Sequence, residues 1–253
     1  GRFFDRIGKV HFIIMPRFFV DGQPENGVLV LQGENAHHAG RVLRLRPGEA
    51  VTLCDGKGTD YDCTVERLDK DAVICRVHDC HPADTEPKQR LTLFMALPKG
   101  DKMEWIVQKA VELGVSNIVP YLSKNCVSRP DKTDKKVERW RKIAAEAAKQ
   151  CGRGVLPTVG AVIPVGQAIA QAAQSETALF LYENERQTGL RDALAAGVGK
   201  DVSLLVGPEG GFAPEEAEAA RQAGLKSVSL GTRILRCETA PVAALAAILF
   251  AGG

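Results

Sequence analysis

The sequence lacks the features of disulfide-stabilised and membrane-spanning proteins. Its seven cysteines are an odd number and include no Cys-x-x-Cys pair, so a reducing, cytoplasmic location is predicted. The longest apolar run, residues 240–253, is shorter than the roughly 20 apolar residues that span a bilayer, and it predicts a buried helix. With 45% hydrophobic and 25% charged residues, the composition is that of an ordinary globular chain.

The sequence also has little that could hold a metal ion. The nearest cluster is Cys75, His78, Cys80 and His81, in an alternating stretch that predicts a strand. Alternation would put Cys75 on the opposite face from His78 and Cys80, which is poor tetrahedral geometry. No metal site is therefore predicted.

Residues 1–14 precede Met15-Pro16-Arg17, which resembles the natural N-terminus of a polypeptide. The segment carries three basic residues, a short apolar portion and no small-residue cleavage site. It is predicted to be a non-native or extended N-terminus rather than a signal peptide.

The periodicity of the chain changes near residue 90. Before it, short strands alternate with glycine-containing turns around one helix, residues 34–45, which predicts a small β-barrel followed by a linker, residues 81–90. After it, apolar runs alternate with amphipathic segments, which predicts a parallel sheet covered on both faces. The predicted strands are residues 18–20, 28–32, 50–54, 61–68, 72–78, 91–97, 117–122, 178–182, 202–206 and 227–230, and the later helices are 102–113, 135–150, 164–174 and 214–223.

A glycine-rich turn follows the strand that ends at Val206. Its sequence, Gly-Pro-Glu-Gly-Gly-Phe, is neither a Gly-Lys-Ser/Thr phosphate loop nor a Gly-x-Gly-x-x-Gly dinucleotide motif. The helix that begins at Pro214 carries Glu215, Glu216 and Glu218, which would repel phosphate. The turn therefore indicates a neutral or cationic ligand, or a turn that binds nothing.

A second turn, residues 230–241, follows the next strand. Arg236, Glu238 and Thr239 stand there immediately before an apolar helix. Charged groups between a buried strand and a buried helix are costly unless they are paired or used in function. The two interpretations are a functional arginine and an Arg–Glu pair that only caps the helix.

Charge is distributed unevenly along the second part of the chain. Residues 129–153 contain nine Lys/Arg and four acids, whereas residues 176–220 contain nine acids and three bases. In the basic segment Val137, Trp140, Ile143, Ala144, Ala147 and Ala148 recur at helical spacing and are expected to face the core. The basic side chains would then face outward, as a solvated surface or as a phosphate-binding one.

Five of these segments, in order, resemble the RsmE family, bacterial methyltransferases of the SPOUT superfamily. The matching stretches are residues 97–102, 109–115, 138–153, 206–212 and 230–240, with an arginine-rich segment at 41–46. The resemblance implies an α/β fold: a PUA-like β-barrel RNA-binding domain, residues 15–84, and a SPOUT-type trefoil-knotted parallel sheet, residues 85–253. It also implies a homodimer that uses S-adenosylmethionine to methylate N3 of a uridine in 16S ribosomal RNA of the small subunit.

The turns and the resemblance together predict the functional residues. Arg236 is the candidate for stabilising the uracil anion, and Glu209 or Glu238 would act as the base or hold Arg236. The predicted cofactor-binding residues are Leu181, Tyr182, Gly207, Glu209, Gly210, Gly211, Leu230, Gly231, Ile234, Leu235, Arg236 and Ala240. The predicted RNA-binding residues are Arg17, Arg41, Arg44, Arg46, Lys99, Arg139, Lys142 and Arg153.

Two positions depart from the family pattern. Ala213 stands where the family usually has a helix-capping serine, and Cys237 where it usually has threonine. The alternative functions are a non-catalytic RNA-binding ribosome-assembly protein and an α/β nucleotide-binding enzyme, of which the second lacks both phosphate motifs.

Overall fold

The computed structural model describes residues 15–127 and 133–252. The prediction for residues 1–14 lies outside the described residues, as do residues 129–132 of the basic segment. The chain divides into two compact units, with the division between Ala83 and Asp84.

The first unit is built on a five-stranded sheet in the order β1-β3-β4-β5-β2. Strand β1 pairs in parallel with β3, and the other neighbours are antiparallel. Two register shifts between β4 and β5, at Asp62/Cys63 and Val65/Arg67, interrupt the longest hairpin, and such bulges bend a strand and increase its twist. The elements are β1 Arg17–Phe19, β2 Val28–Gln32, α1 Gly33–His37, β3 Ala50–Cys54, β4 Thr59–Leu68 and β5 Ala72–Pro82.

The predicted helix over residues 34–45 is wrong in its extent. α1 is followed by a π-helical turn, His38–Val42, and Arg44 adopts a positive φ of 54°. The wider turn and the reversal at Arg44 bring Leu45 into the core with Ala39, a spacing that one regular α-helix does not provide. The predicted linker is also too long, because β5 extends through Pro82 by pairing with Thr59 of β4.

The second unit contains a parallel sheet whose main strand order is β12-β10-β11-β6-β7-β8, with β9 paired to β7. Its strands are β6 Arg90–Ala96, β7 Asn117–Leu122, β8 Thr158–Val159, β9 Ile163–Pro164, β10 Thr177–Leu181, β11 Asp201–Val206 and β12 Lys226–Val228. Its helices are α2 Lys102–Glu112, α3 Thr133–Gln150, α4 Val165–Ala172, α5 Leu190–Leu194, α6 Pro214–Gln222 and α7 Thr239–Gly252.

The predicted parallel sheet with helices on both faces is confirmed. Four consecutive residues of β6, from Leu93 to Ala96, are all buried, which requires cover on both faces because successive side chains point to opposite sides. Helix α4 packs on β6, β7 and β11 and against α6, whereas α2 packs against α3 and α7. The strands β8 and β9 and the helix α5 were not predicted, since they are too short to carry a periodic pattern.

Helix α7 is only partly buried, contrary to the prediction. Ala244, Leu245 and Ile248 face the core, but the side chain of Phe250 is 92% exposed. A helix that is apolar all round gives no periodic signal for which face it buries. No helix in the described ranges is both long and apolar enough to cross a membrane.

Candidate functional site

The strands of the second unit end together at one edge of the sheet. Leu181 is in register with Val206 of β11 and with Val228 of β12, and Val206 is in register with Met95 of β6. The segments that follow these four strands therefore meet at the carboxyl edge, where α/β sheets bind their ligands. All three predicted cofactor segments start at this edge.

The turn after β11 has glycines at its positive-φ position and where side chains approach the backbone closely. Gly211 has a φ of 66°, and a Cβ added there would lie 2.0 Å from Oε1 of Glu183, in the segment after β10. A Cβ on Gly207 would lie 3.2 Å from the Phe212 ring. Asn125 donates from Nδ2 to the carbonyl oxygens of Gly210 and Gly211, at 3.2 Å each, so the end of the turn is fixed from a third segment.

Glu209, in the same turn, is held from the segment after β6. Its Oε1 accepts from Lys102 Nζ at 2.9 Å and from the backbone N–H of Lys99 at 3.1 Å. Burial opposes ionisation of Glu209, but these hydrogen bonds outweigh it and lower its pKa from 4.5 to about 2. The carboxylate is therefore ionised at neutral pH and is a weak base.

Glu238, in the turn before α7, binds the same ammonium group. Lys102 Nζ lies 3.2 Å from Oε2 of Glu238 and 3.7 Å from the Sγ of Cys237. Burial again opposes ionisation of Glu238, and hydrogen bonds from the backbone, the Cys237 thiol and Lys102 lower its pKa. Lys102, Glu209 and Glu238 thus form an ionic cluster with one ammonium and two carboxylates.

Cys237 replaces the expected threonine without losing a polar contact. Its Sγ lies 3.3 Å from Oε2 of Glu238, so the thiol donates to that carboxylate. Burial, followed by the adjacent carboxylates of Glu238 and Glu209, raises the pKa of the thiol from 9.0 to about 12. The thiol therefore stays protonated and unreactive at neutral pH.

Arg236 lies beside this cluster but is not held by it. Its carbonyl oxygen accepts from the backbone N–H of Thr239 at 2.9 Å and of Ala240 at 3.0 Å, which begins α7. Its side chain is exposed, and within the described ranges the guanidinium makes no hydrogen bond or ion pair. The hypothesis that Glu209 or Glu238 holds Arg236 is corrected here, because both carboxylates bind Lys102 instead.

The segment after β10 contributes main chain to the edge of the sheet. Leu181 and Tyr182 are half-buried, and the backbone N–H of Tyr182 donates to the carbonyl of Val228 at 3.1 Å. The guanidinium carbon of Arg221 lies 5.1 Å from the centre of the Tyr182 ring, a cation–π contact.

The segment after β12 is more exposed than the other two. Gly231 has a φ of 107°, Leu230 and Leu235 are half-buried, and the Ile234 side chain is 91% exposed. Ala240, in the first turn of α7, is half-buried. An isoleucine this exposed has no packing role within the described part of the chain.

Helix α6 begins at the site without a side-chain cap. Ala213 has no acceptor, but its backbone N–H donates to Oε2 of Glu216 at 3.0 Å, which is the second half of a capping box. Glu216 also accepts from Ser123 Oγ at 3.0 Å and from the backbone N–H of Lys124 at 2.8 Å. The buried Glu216 therefore satisfies the backbone N–H of the N-cap residue, whereas the acceptor that a serine side chain would offer to the first turn of α6 is absent.

Of the predicted RNA-binding residues in the first unit, three are exposed and one is not. Arg41, Arg44 and Arg46 lie on or after the π-helical turn with exposed side chains. Arg17 is different, because its guanidinium binds the buried carboxylate of Asp60 and the Arg17 side chain is only 14% exposed. The prediction that Arg17 binds RNA is therefore wrong in this structure, since its charge is already paired inside the unit.

Of those in the second unit, three are again exposed. Lys99 follows β6, and Arg139 and Lys142 lie on the outer face of α3, with Arg139 paired to Glu104 at 2.7 Å. Arg153 is 2% exposed: it binds Glu86 at 2.7 Å and donates to the carbonyls of Val111 and Val115. The prediction for Arg153 is wrong, because a guanidinium buried among these acceptors cannot reach a phosphate.

Two residues of the site were missed in the sequence. Asn125 gave no signal, because its partners are carbonyl oxygens 85 and 86 residues away. Lys102 had a weak sequence signal. It is the first residue of α2, where the helix dipole disfavours a positive charge, so a lysine there suggests a role outside the helix. Among the described residues no group of three or more His, Cys, Asp or Glu side chains could hold a metal ion.

Two family models match the chain. The RNA methyltransferase domain matches residues 85–249, and the RNA methyltransferase PUA domain matches residues 31–77. The fold expectation of a PUA-like unit followed by an α/β methyltransferase unit is confirmed by these matches.

Curated relatives match over nearly the whole chain. The ribosomal RNA small subunit methyltransferase E of Bacillus subtilis is 34% identical over 247 residues, which cover 93% of this chain and 96% of the relative. The protein of the same name from Mycobacterium tuberculosis is 34% identical over 238 residues, which cover 91% and 90%.

Solved structures match equally well. The ribosomal RNA small subunit methyltransferase E of Neisseria gonorrhoeae, bound to S-adenosyl methionine, is 35% identical with a TM-score of 0.85, covering 94% of this chain and 98% of that one. A methyltransferase of Legionella pneumophila in complex with the same cofactor is 34% identical with a TM-score of 0.83, again covering 94% and 98%.

Proposed function

The chain belongs to the ribosomal RNA small subunit methyltransferase E family, the RsmE family, and from this premise we propose that it transfers a methyl group from S-adenosylmethionine to N3 of a uridine in 16S ribosomal RNA. The observation that carries the proposal is the edge of the parallel sheet. There the ends of β10, β11 and β12 are in register, and two of the following turns contain glycines at positive φ. Such turns offer main-chain donors and acceptors to a ligand without side chains in the way.

The residues at this edge suit a sulfonium-bearing nucleoside. The half-buried leucines Leu181, Leu230 and Leu235 supply apolar surface for a flat base, and the glycine turns supply backbone groups for its polar edge. Cofactor contacts are proposed for the whole predicted set, with Gly207, Gly210, Gly211 and Gly231 contributing main chain, and with Tyr182, Ile234 and Ala240 completing the walls. When bound, the cofactor supplies an activated methyl group.

The charge of the ionic cluster also favours a cationic ligand. Two carboxylates face one ammonium in the Lys102–Glu209–Glu238 cluster, which leaves one negative charge. An excess negative charge attracts a sulfonium and repels phosphate. This agrees with the acidic start of α6, where Glu215 and Glu216 follow Pro214.

Arg236 is proposed as the catalytic residue. The N3 imide of uridine is mostly protonated at neutral pH, so the enzyme has to stabilise the anion that forms when this proton leaves. The exposed guanidinium of Arg236 has its donors available for a uracil carbonyl oxygen. Glu209 and Glu238 are assigned a positional role rather than that of the base, because their lowered pKa values make them weak bases.

Each unit has an exposed basic surface that supports RNA binding. Arg41, Arg44 and Arg46 form the proposed RNA-binding surface of a PUA-like domain at residues 15–84. Lys99, Arg139 and Lys142 form the proposed RNA-binding surface of the catalytic domain, residues 85–253. The trefoil knot of this domain stays a prediction.

A homodimer is proposed on the exposed face of α7. After the exposed Thr239 in its first turn, the exposed residues of this helix are all apolar: Ala243, Ala246, Ala247, Phe250 and Ala251. A contiguous apolar face on a soluble chain marks an interaction site, and a second copy of the same face is the proposed occupant. A cytoplasmic location is proposed because the substrate is ribosomal RNA and the cysteines 54, 63, 75, 80, 126, 151 and 237 are free thiols.

Nucleoside mass spectrometry tests the proposed reaction. 16S ribosomal RNA from cells that lack the protein is expected to lose 3-methyluridine and to regain it when the wild-type gene is restored. Calorimetry with S-adenosylmethionine separates the enzyme from a non-catalytic assembly protein, which would bind RNA and release no heat with the cofactor. Unchanged 3-methyluridine in the deleted cells would contradict the proposed reaction.

A further inference from the structure

Lys102 joins three segments that are far apart in the sequence. It is the first residue of α2, and its two carboxylate partners lie 107 and 136 positions further along the chain, in the turns after β11 and β12. The ends of β11 and β12 are not neighbours, because β10 lies between them in the sheet. One ammonium group therefore ties together two cofactor turns that no shared strand pairing connects.

Lys102 contacts the two residues that follow Arg236 in the chain and not the Arg236 side chain. Cys237 and Glu238, the two residues after Arg236, both lie within reach of Lys102 Nζ, at 3.7 and 3.2 Å. The carbonyl oxygen of Arg236 is fixed by the backbone N–H groups of Thr239 and Ala240 in the first turn of α7. The backbone at Arg236 is thus anchored, while the guanidinium remains available for a substrate.

We propose that Lys102 is a positioning residue for the methyl transfer, which sets the location of Arg236 by holding Glu238 against the turn that carries Glu209. The inference rests on the proposed function, because it assigns Lys102 a role through Arg236. The ammonium does not touch the reacting atoms in this role. Its role is to fix the geometry of the exposed turn that carries Arg236. This matters because a displacement of about 1 Å in a reacting group can reduce turnover strongly.

Two substitutions separate charge from shape at this position. Lys102→Met keeps the length of the side chain and removes the ammonium, whereas Lys102→Arg keeps a positive charge that can bind both carboxylates. Lys109→Met is the matched control, because it removes the ammonium of the Lys109–Glu112 ion pair on the same helix and leaves the turns untouched.

Turnover on small ribosomal subunits that lack the modification gives the first readout. Lys102→Met is expected to lower kcat by roughly tenfold or more with less than about a threefold change in the KM for S-adenosylmethionine. Lys102→Arg is expected to recover most of the loss. In an Arg236→Ala background, Lys102→Met is expected to have little further effect, since it acts through the residue already removed. An equal loss in both backgrounds would overturn the proposal.

Hydrogen–deuterium exchange gives a readout that does not depend on turnover. The backbone N–H groups of residues 207, 209–211 and 235–238 are expected to exchange faster in Lys102→Met than in the wild type. Their exchange is expected to stay at the wild-type rate in Lys102→Arg and in Lys109→Met. Unchanged exchange in Lys102→Met would show that Lys102 does not hold the two turns together, and this result would overturn the proposal even in a protein without methyltransferase activity. If exchange in the two turns depends on Lys102 but the wild-type protein transfers no methyl group, the result would contradict the proposed function alone.

Discussion

Arg236 is exposed at the end of a turn whose backbone is fixed, and this combination suits a group that has to meet an incoming base. Arg17 and Arg153 have the same side chain, but each is largely buried and paired with a carboxylate, so their charge serves the fold. The difference between a functional and a structural arginine lies in whether its five donors are already used.

Arg236→Ala leaves the main chain of residue 236 in place for the cofactor, so it is expected to keep the affinity for S-adenosylmethionine. It is expected to lower kcat by about 100-fold, because it removes the donor that stabilises the developing anion. Calorimetry measures the affinity and tritium transfer to small subunits measures kcat. Arg233→Ala, an exposed arginine in the same turn, is the control and is expected to keep near wild-type turnover. Wild-type kcat in Arg236→Ala would remove Arg236 from the reaction.

The pKa of Glu209 makes part of the stability dependent on pH. It lies at about 2 in the folded chain and near 4.5 in the unfolded chain, so the unfolded state binds the proton first as the pH falls. The stabilisation from ionised Glu209 is therefore complete above about pH 4.5 and is lost as the pH falls towards 2.

Urea unfolding of wild type and Glu209→Gln over this pH range measures the effect. The difference in unfolding free energy between the two proteins is expected to be constant above pH 4.5 and to shrink below it. Glu218→Gln, an exposed carboxylate on α6, serves as the comparison. A difference for Glu209→Gln that does not vary with pH would contradict the assigned ion pair.

At the scale of elements, the segment before β6 is fixed to the segment after α3 by a largely buried ion pair. Glu86 accepts from Arg153 and from the backbone N–H groups of Gly154 at 2.8 Å and Val155 at 3.0 Å. Burial opposes ionisation of Glu86, but the Arg153 guanidinium and these N–H groups lower its pKa. The pair therefore joins two elements by satisfying a charge that neither could bury alone.

Arg153→Met is expected to lower the free energy of unfolding by about 3–5 kcal/mol, because it leaves the Glu86 carboxylate without its counter-ion. Arg90→Met, which removes an ion pair with Asp201 between two largely exposed side chains, is expected to cost less than about 1 kcal/mol. Chemical denaturation measures both values. Equal losses in the two variants would indicate that the buried pair adds nothing to stability.

At the scale of the whole molecule, α7 serves two surfaces. One face packs into the second unit through Ala244, Leu245 and Ile248, and the other exposes Phe250. Beyond Thr239 the helix carries no polar side chain and needs cover on both faces, and the described part of the chain covers only one of them. The proposed dimer supplies the other.

Phe250→Glu is expected to weaken self-association by at least about tenfold, because it would bury an unpaired charge between two copies. Sedimentation velocity over a range of concentrations measures the change. Val30→Glu adds the same charge at an exposed apolar position in the first unit and is expected to leave association unchanged. Unaltered association in Phe250→Glu would exclude this face of α7 as the dimer contact.

The sequence by itself determined most elements of the second unit, all but the short β8, β9 and α5, and the turns that build its site. Continuous apolar runs alternating with amphipathic segments require a parallel sheet, and glycines at 207, 211 and 231 mark turns where a side chain or an ordinary φ would not fit. These features follow from local spacing and backbone conformation, which a sequence records directly. The core face of α3 was predicted for the same reason, although Ile143 is only half-buried.

Only the tertiary structure decided which charged side chains form ion pairs within the fold and which are exposed to solvent. Arg153 and Lys142 lie in the same basic segment of the sequence, but Arg153 is buried against Glu86 and Lys142 is exposed. Lys102 gained its role from carboxylates more than 100 positions away. Ion pairing depends on distances between side chains on different elements, and those distances exist only after the strands have been ordered in the sheet.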